Sequence, residues 1–149
     1  MRAVVQRVTS ASVTVDGKVE GRIGAGLLAF VGVAHADGPG DLDYIASKIR
    51  DLRIFPDEHG RMNRSIVETG GALLVVSQFT LLADSRKGRR PSFDEAAPAA
   101  HAESLYDMLV QRLRADGLQV ETGLFQAHMD VALVNDGPVT ILLDSQKQF

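Results

Sequence analysis

Residues 72–82, Ala-Leu-Leu-Val-Val-Ser-Gln-Phe-Thr-Leu-Leu, decide the fold. The run reads as the longest β-like segment of the chain, and period-two alternation predicts Gln78 and Thr80 on the face opposite Ser77 and Phe79. Polar side chains inside an apolar strand have more than one meaning. Their groups are satisfied by neighbouring backbone, or the strand end reaches solvent. Alternatively, they floor a pocket where N–H groups released from the ladder face a developing oxyanion.

Working outward, residues 26–33 form a second short apolar run suited to a buried strand. Residues 11–23 read as a hairpin: Val13 and Val15 alternate with polar neighbours, Asp16-Gly17 supplies a left-handed turn pair, and Val19 and Ile23 resume the alternation. From Asp41 the period lengthens. Leu42, Ile45, Ile49 and Leu52 share one helical face, with Pro56 as the expected stop. A second helix is expected after Pro98, with Ala102, Leu105, Leu109 and Leu113 as its stripe and Gly117 as its end. The tail is β again at Leu118 and Val120, at Val131 and Leu133, and at Val139, Ile141 and Leu143, the last two groups flanking a turn-like Asn135-Asp136-Gly137-Pro138. Two main helices among many strands indicate α+β. No linker, repeat or low-complexity tract divides residues 1–149, so a single domain is expected.

With 149 residues and no cysteine, disulfides, thiolate metal sites and a cysteine nucleophile are excluded. Met1 to Val8 contain Arg2, Gln6 and Arg7, and no apolar run approaches the ~18 residues of a membrane span, so a cytoplasmic protein without a membrane partner is expected. The net charge of −3 gives no global attraction to nucleic acid, and DNA is not an expected partner. Any RNA contact must be local. Arg86, Lys87, Arg89 and Arg90 form the one dense basic cluster, which is either a solvated loop or a phosphate clamp.

The usual catalytic signatures are missing. There is no Gly-x-Ser-x-Gly elbow, no phosphate loop and no His-Glu-x-x-His helix, and Gly24-Ala25-Gly26 does not make a dinucleotide fingerprint. His35, His59, His101 and His128 are scattered, with none at metal-ligand spacing, so neither a metal nor a cofactor is expected. Gly137-Pro138 is the remaining oddity, because Pro138 has no N–H to give a ladder. An ordinary trans turn and a special cis turn both remain open, the cis form occurring at about 5–6% of X-Pro bonds.

Together, Ser77-Gln78-Phe79-Thr80-Leu81 and Asn135-Asp136-Gly137-Pro138-Val139-Thr140 resemble the two signature motifs of the D-aminoacyl-tRNA deacylase family, in the expected order. The opening Met1-Arg2-Ala3-Val4-Val5-Gln6-Arg7-Val8, the Leu52-Arg53-Ile54-Phe55 segment and Met62-Asn63 extend the resemblance along nearly the whole chain. One departure stands out. In Phe125-Gln126-Ala127-His128-Met129 the resemblance leads to an expected glycine where Gln126 stands.

The resemblance implies a β-barrel-like homodimer that hydrolyses the ester of tRNA charged with D-amino acids, and of mischarged glycyl-tRNA. It assigns Gly137 and Pro138 to a cis pair, inserted from one subunit into the other's site, that judges handedness. It makes the backbone N–H groups of Phe79 and Thr80 the oxyanion donors, beside Ser77 and Gln78. Thr80 is weighed as a nucleophile, but no base is evident beside it in sequence, and the tRNA's own 2′-hydroxyl is the preferred assistant to water. Arg7 and Asn135 are supporting residues. Phe125 and Met129 are either core or a wall for the terminal adenosine, and Lys87, Arg89 and Arg90 become contacts to the tRNA backbone. The competing reading is a non-catalytic RNA-end or small-ligand binding protein on the same scaffold.

Overall fold

The computed structural model describes residues 1–149. β1 (Arg2–Val15) is the longest run of extended chain in the N-terminal half and organises the sheet. It turns through Asp16 and Gly17, both at positive φ (48° and 78°), into β2 (Lys18–Ile23), as the two-residue hairpin demands. β3 (Gly26–Gly32) then runs antiparallel to the first half of β1.

Helix α1 (Pro39–Asp51) begins two residues before the expected Asp41, because Pro39 is tolerated in the first turn and the Asp41 carboxylate accepts from the Gly38 N–H at 2.9 Å. It also ends earlier than Pro56. Leu52 leaves helical geometry, which lets Ile54 and Phe55 enter the core from an extended segment, and β4 (Phe55–Pro56) pairs with β5 (Met62–Arg64). A single helical turn, α2 (Ile66–Thr69), was not expected; it is capped by Ser65 and Glu68, which exchange hydrogen bonds, and closed by Gly70 at positive φ.

β6 (Ala72–Ser77) lies parallel to β3. It is shorter than the 72–82 run predicts. After Ser77 the chain winds into a 3-10 turn, Phe79–Leu82, so the alternation expected at Gln78 to Leu82 does not exist. Burial of Leu82 explains the turn, since its side chain lies over Gly32 of β3. Helix α3 (Ala99–Ala115) follows Pro98 and ends before Gly117, whose φ is +90°. Arg112 near its end pairs with Asp43 of α1 at 2.8 Å.

β7 (Val120–Thr122) extends the sheet beside β6. The tail is a single strand, β8 (Asp130–Asp144), pairing along all of β1, not two strands about a turn. Asn135 to Pro138 is a bulge within it. The order β2-β1-β3-β6-β7 rolls until its ends meet, and the residue that permits the approach is Gly21, where a Cβ would lie 2.4 Å from the Thr122 carbonyl oxygen. The result is a nearly closed barrel. Val13, Ile23, Leu28 and Leu74 fill its interior, while α1 and α3 cover the outer face, Ile45 and Leu109 sharing one core with Leu27 and Val75 of the sheet. No helix is long and apolar enough to cross a membrane.

Because the Thr122 oxygen belongs to backbone, Gly21→Ala can be accommodated only by moving β2 or β7. A loss of about 1–3 kcal/mol in urea unfolding is expected. An unchanged midpoint would mean that the two strands are not held in contact.

Candidate active site

The end of β6 is where sequence turns into chemistry. The Gln78 N–H donates to the Val31 carbonyl at 2.7 Å, the last backbone bond between the two strands. In the 3-10 turn that follows, Leu81 donates to the Gln78 carbonyl at 3.3 Å and Ala83 to that of Thr80 at 3.1 Å. The N–H groups of Phe79 and Thr80 come before the first carbonyl that such a turn can offer, and so point away from it. Gly32 makes this placement possible: a Cβ there would lie 2.8 Å from the Gln78 carbonyl oxygen and 2.5 Å from the Leu82 side chain.

Beside this turn lies a cavity of about 510 Å³, within the usual range for small-ligand sites. Ser77, Gln78, Phe79, Phe125, Gln126, His128 and Met129 contribute to its wall. Of the residues singled out in sequence, the fold therefore brings together Ser77, Gln78, Phe79, Phe125 and Met129. Thr80, Arg7, Asn135, Gly137, Pro138, Lys87, Arg89 and Arg90 do not line it. Ala97, just before Pro98, and Ala99 and Ala102 in the first turn of α3 do, and sequence reasoning missed them as site residues. Their signal was the density of small side chains around Pro98, which leaves room beside the β6 end.

Each wall has a visible support. Phe125 is half-buried and tilts against Tyr106, ring centroids 6.1 Å apart. Tyr106 donates its hydroxyl to the Val75 carbonyl at 2.9 Å, and burial pushes that hydroxyl above its ordinary pKa, so it stays a neutral brace for β6. Met129 is half-buried against Gly123, where a Cβ would stand 2.7 Å from its sulfur. Gln126 occupies the third position of a tight turn closed by the Ala127 N–H on the Leu124 carbonyl at 3.2 Å, and its φ is +61°. Glycine suits that position, whereas a residue with a Cβ meets a cost of about 1–2 kcal/mol.

The Thr80 hydroxyl oxygen accepts from the Gln78 side-chain amide. An amide N–H supplies a proton and takes none, the reverse of what activates a nucleophile. His/Cys/Asp/Glu groups suited to a metal are not assembled anywhere in the fold.

The Asn135–Pro138 bulge has its own architecture. Gln6 pairs with Thr140 and Val8 with Asn135, so Arg7 alone faces the four residues 136–139. Its guanidinium fills the gap, donating to the Asp136 carbonyl at 3.2 Å and the Ile54 carbonyl at 2.5 Å, and meeting the Asp136 carboxylate at 3.1 Å. Asn135 accepts from the Val139 N–H at 3.1 Å and donates to Thr140 at 3.1 Å. The Gly137-Pro138 peptide bond is cis, and both residues are exposed.

The basic cluster is an exposed loop closed by reciprocal backbone bonds between Asp84 and Ser92. Asp84 holds Arg86 at 2.7 Å, and this hydrogen bonding keeps the carboxyl below the usual carboxylate range. Three cations, Lys87, Arg89 and Arg90, are left for solvent. Phe93, just past the loop, meets Phe79 edge to face at 5.1 Å, which ties the loop's exit to the cavity wall.

Residues 4–144 match the family model described as D-Tyr-tRNA(Tyr) deacylase. A protein from Symbiobacterium thermophilum named D-aminoacyl-tRNA deacylase is 60% identical over 149 residues, covering 100% of this chain and 99% of its own. A Desulfitobacterium hafniense protein of the same name is 59% identical, with 100% of both chains covered. Among solved structures, the c-Myc DNA unwinding element binding protein superposes with a TM-score of 0.91 at 41% identity, over 97% of this chain and 98% of that one. Matched along almost its entire length in sequence and in fold, this chain belongs to the D-Tyr-tRNA(Tyr) deacylase family.

Proposed function

We propose that this chain hydrolyses the ester bond of tRNA charged with a D-amino acid, in a site that two copies of the chain complete. The observation that carries the reading is the release of the Phe79 and Thr80 N–H groups beside the cavity at the end of β6. Two fixed backbone donors stabilise the oxyanion of a tetrahedral intermediate, and losing one such donor in other enzymes costs about 10²–10³ in rate. An aminoacyl ester is already reactive, so positioning plus charge stabilisation is sufficient chemistry. With the Thr80 oxygen occupied by a donor, water assisted by the terminal 2′-hydroxyl of the tRNA is the nucleophile. Gln78 and Thr80 shape the site around it.

Handedness is judged by Gly137 and Pro138 of a second copy. They lie outside the cavity of their own chain and are exposed, so in isolation they select nothing. β8 pairs on one side only, and Val134 and Leu142 along it are 56% and 59% exposed. A long apolar edge of this kind invites a partner, and a second copy supplies one. Main-chain carbonyls of the inserted pair hold the substrate's ammonium; inverting the α-carbon then drives an L side chain into backbone. Glycine has nothing to collide, so mischarged glycyl-tRNA is also a substrate. The setting of this reaction is the cytoplasm, where charged tRNA is used.

Matched D- and L-aminoacyl-tRNA provide the decisive assay. Turnover is expected for the D ester at a rate at least about 10²-fold above the L ester. Thr80→Ala is expected to retain turnover within about tenfold, because it removes a hydroxyl held by the Gln78 amide and no attacking group. Binding without turnover of either ester would favour the non-catalytic RNA-end binder, and complete loss in a folded Thr80→Ala protein would restore threonine as the nucleophile.

The Lys87, Arg89 and Arg90 loop holds the phosphodiester backbone near the acceptor end. Reversing Arg89 and Arg90 to Glu is expected to weaken tRNA binding and to reduce the slope of log affinity against log salt by about 1.5. An unchanged affinity and slope would remove the loop from the interface.

A further inference from the structure

We propose that Phe93 is a positioning residue for the 3-10 turn at the end of β6: its ring holds the Phe79 ring, and through it the two N–H groups of the site. This inference rests on the reading of the Phe79 and Thr80 N–H groups as the oxyanion donors. The turn is fastened at both ends. At its start the Gln78 N–H bonds the Val31 carbonyl, and at its far end Leu82 is buried over Gly32 while Arg2 donates to the Leu81 carbonyl at 3.2 Å. Phe79 and Thr80 lie between these fastenings, and both are exposed. The Thr80 hydroxyl is held from within the turn, by the Gln78 amide. The Phe79 ring, 56% exposed, reaches outside it and meets Phe93 edge to face, at 5.1 Å and an interplanar angle of 66°.

The α-carbon of Phe79 is the joint between the two donors. Rotation about its φ turns the peptide group that carries its own N–H, and rotation about its ψ turns the one that carries the Thr80 N–H. A side-chain rotamer is compatible with only part of φ/ψ space, so a ring held in one place restricts both rotations. Phe93 is built to hold it. Half-buried itself, it follows Ser92, which exchanges backbone hydrogen bonds with Asp84 at 2.8 and 3.0 Å, and its own carbonyl accepts from the Ala96 N–H at 3.0 Å. Beyond it the Ala97 N–H donates to the Val33 carbonyl at 2.9 Å, and the His35 N–H to the Glu95 carbonyl at 3.1 Å. The Phe93 backbone is thereby anchored to the base of the basic loop on one side and to the segment leaving β3 on the other. Phe93 does not line the cavity, so its effect on the reaction passes through Phe79.

The test uses the full chain with D-aminoacyl-tRNA and with an analogue in which an amide replaces the ester. Phe93→Leu, apolar but without the ring, is expected to lower kcat about three- to tenfold, the worth of one aromatic pair, at unchanged Tm. KM and the Kd of the amide analogue should stay within about twofold, because the loss falls on the transition state. Phe93→Tyr, which keeps the ring edge, is expected to retain native kcat. Phe79 also lines the cavity, so its own replacement is read in kcat alone: in a Phe79→Leu background, Phe93→Leu is expected to cost nothing further. Losses that multiply in the double variant would overturn the proposal, since Phe93 would then act by another route. A raised KM at native kcat would overturn it as well, making Phe93 part of the binding surface. Gly32→Val separates this failure from failure of the oxyanion reading. A folded Gly32→Val protein with native kcat removes the turn from catalysis, whereas loss of kcat there, beside a native kcat in Phe93→Leu, overturns the Phe93 assignment alone.

Discussion

The site depends on a strand that stops pairing at a defined residue. β6 gives its last bond to β3 at Gln78, and the chain curls at once because Gly32 leaves space for the Gln78 carbonyl and the Leu82 side chain. A methyl group at Gly32 would push the turn away. Everything else in the cavity is arranged around that end: Tyr106 braces β6 from behind, the alanines of α3 leave room, and the Leu124–Ala127 turn closes the opposite wall. On the proposed reading, the catalytic contribution is a main-chain conformation held by packing. That fits an ester already activated toward hydrolysis.

A second constraint shapes the pairing of β1 with β8. One residue of β1, Arg7, faces four residues of β8, and the gap between the strands is filled by its guanidinium. A single side chain thereby joins the bulge to the Ile54 carbonyl, so the exposed Gly137-Pro138 pair projects from a rigid base. Gly137 has its own reason to be glycine, since a Cβ would lie 3.0 Å from the Val139 N–H group and 3.2 Å from Arg7. The bulge and the cavity are separate features of one chain. On the proposed reading, a site that needs both is built by pairing chains.

Much of this was legible in the sequence, and the exceptions have physical reasons. The hairpin at Asp16-Gly17, both long helices and the α+β class follow from periodicity and turn chemistry, which are local signals. The end of β6 was not legible, because Phe79 to Leu82 are good strand residues, and what curls them is Gly32, distant in sequence. The Asn135–Pro138 segment looked like a hairpin turn for a related reason: a bulge and a turn use the same residue types, and only pairing with β1 distinguishes them. Closure at Gly21 and Thr122 was equally silent. Among the site residues, Ser77 and Gln78 stood out as polar interruptions of an apolar run. The alanines around Pro98 gave only the weak signal of small side chains crowded together, because their contribution is the space they leave.

The most direct test of a shared site is a purified mixed pair. One protomer carries Gly32→Val, which disrupts the β6 end; the other carries Gly137→Ala, which disrupts the bulge. Each variant alone is expected to be inactive on D-aminoacyl-tRNA. The mixed pair assembles one intact site from the undamaged cavity of one chain and the undamaged bulge of the other, and should recover about half of native activity, with the preference for the D ester restored. A mixed pair as inactive as its parents would contradict the account and return the whole site to a single chain.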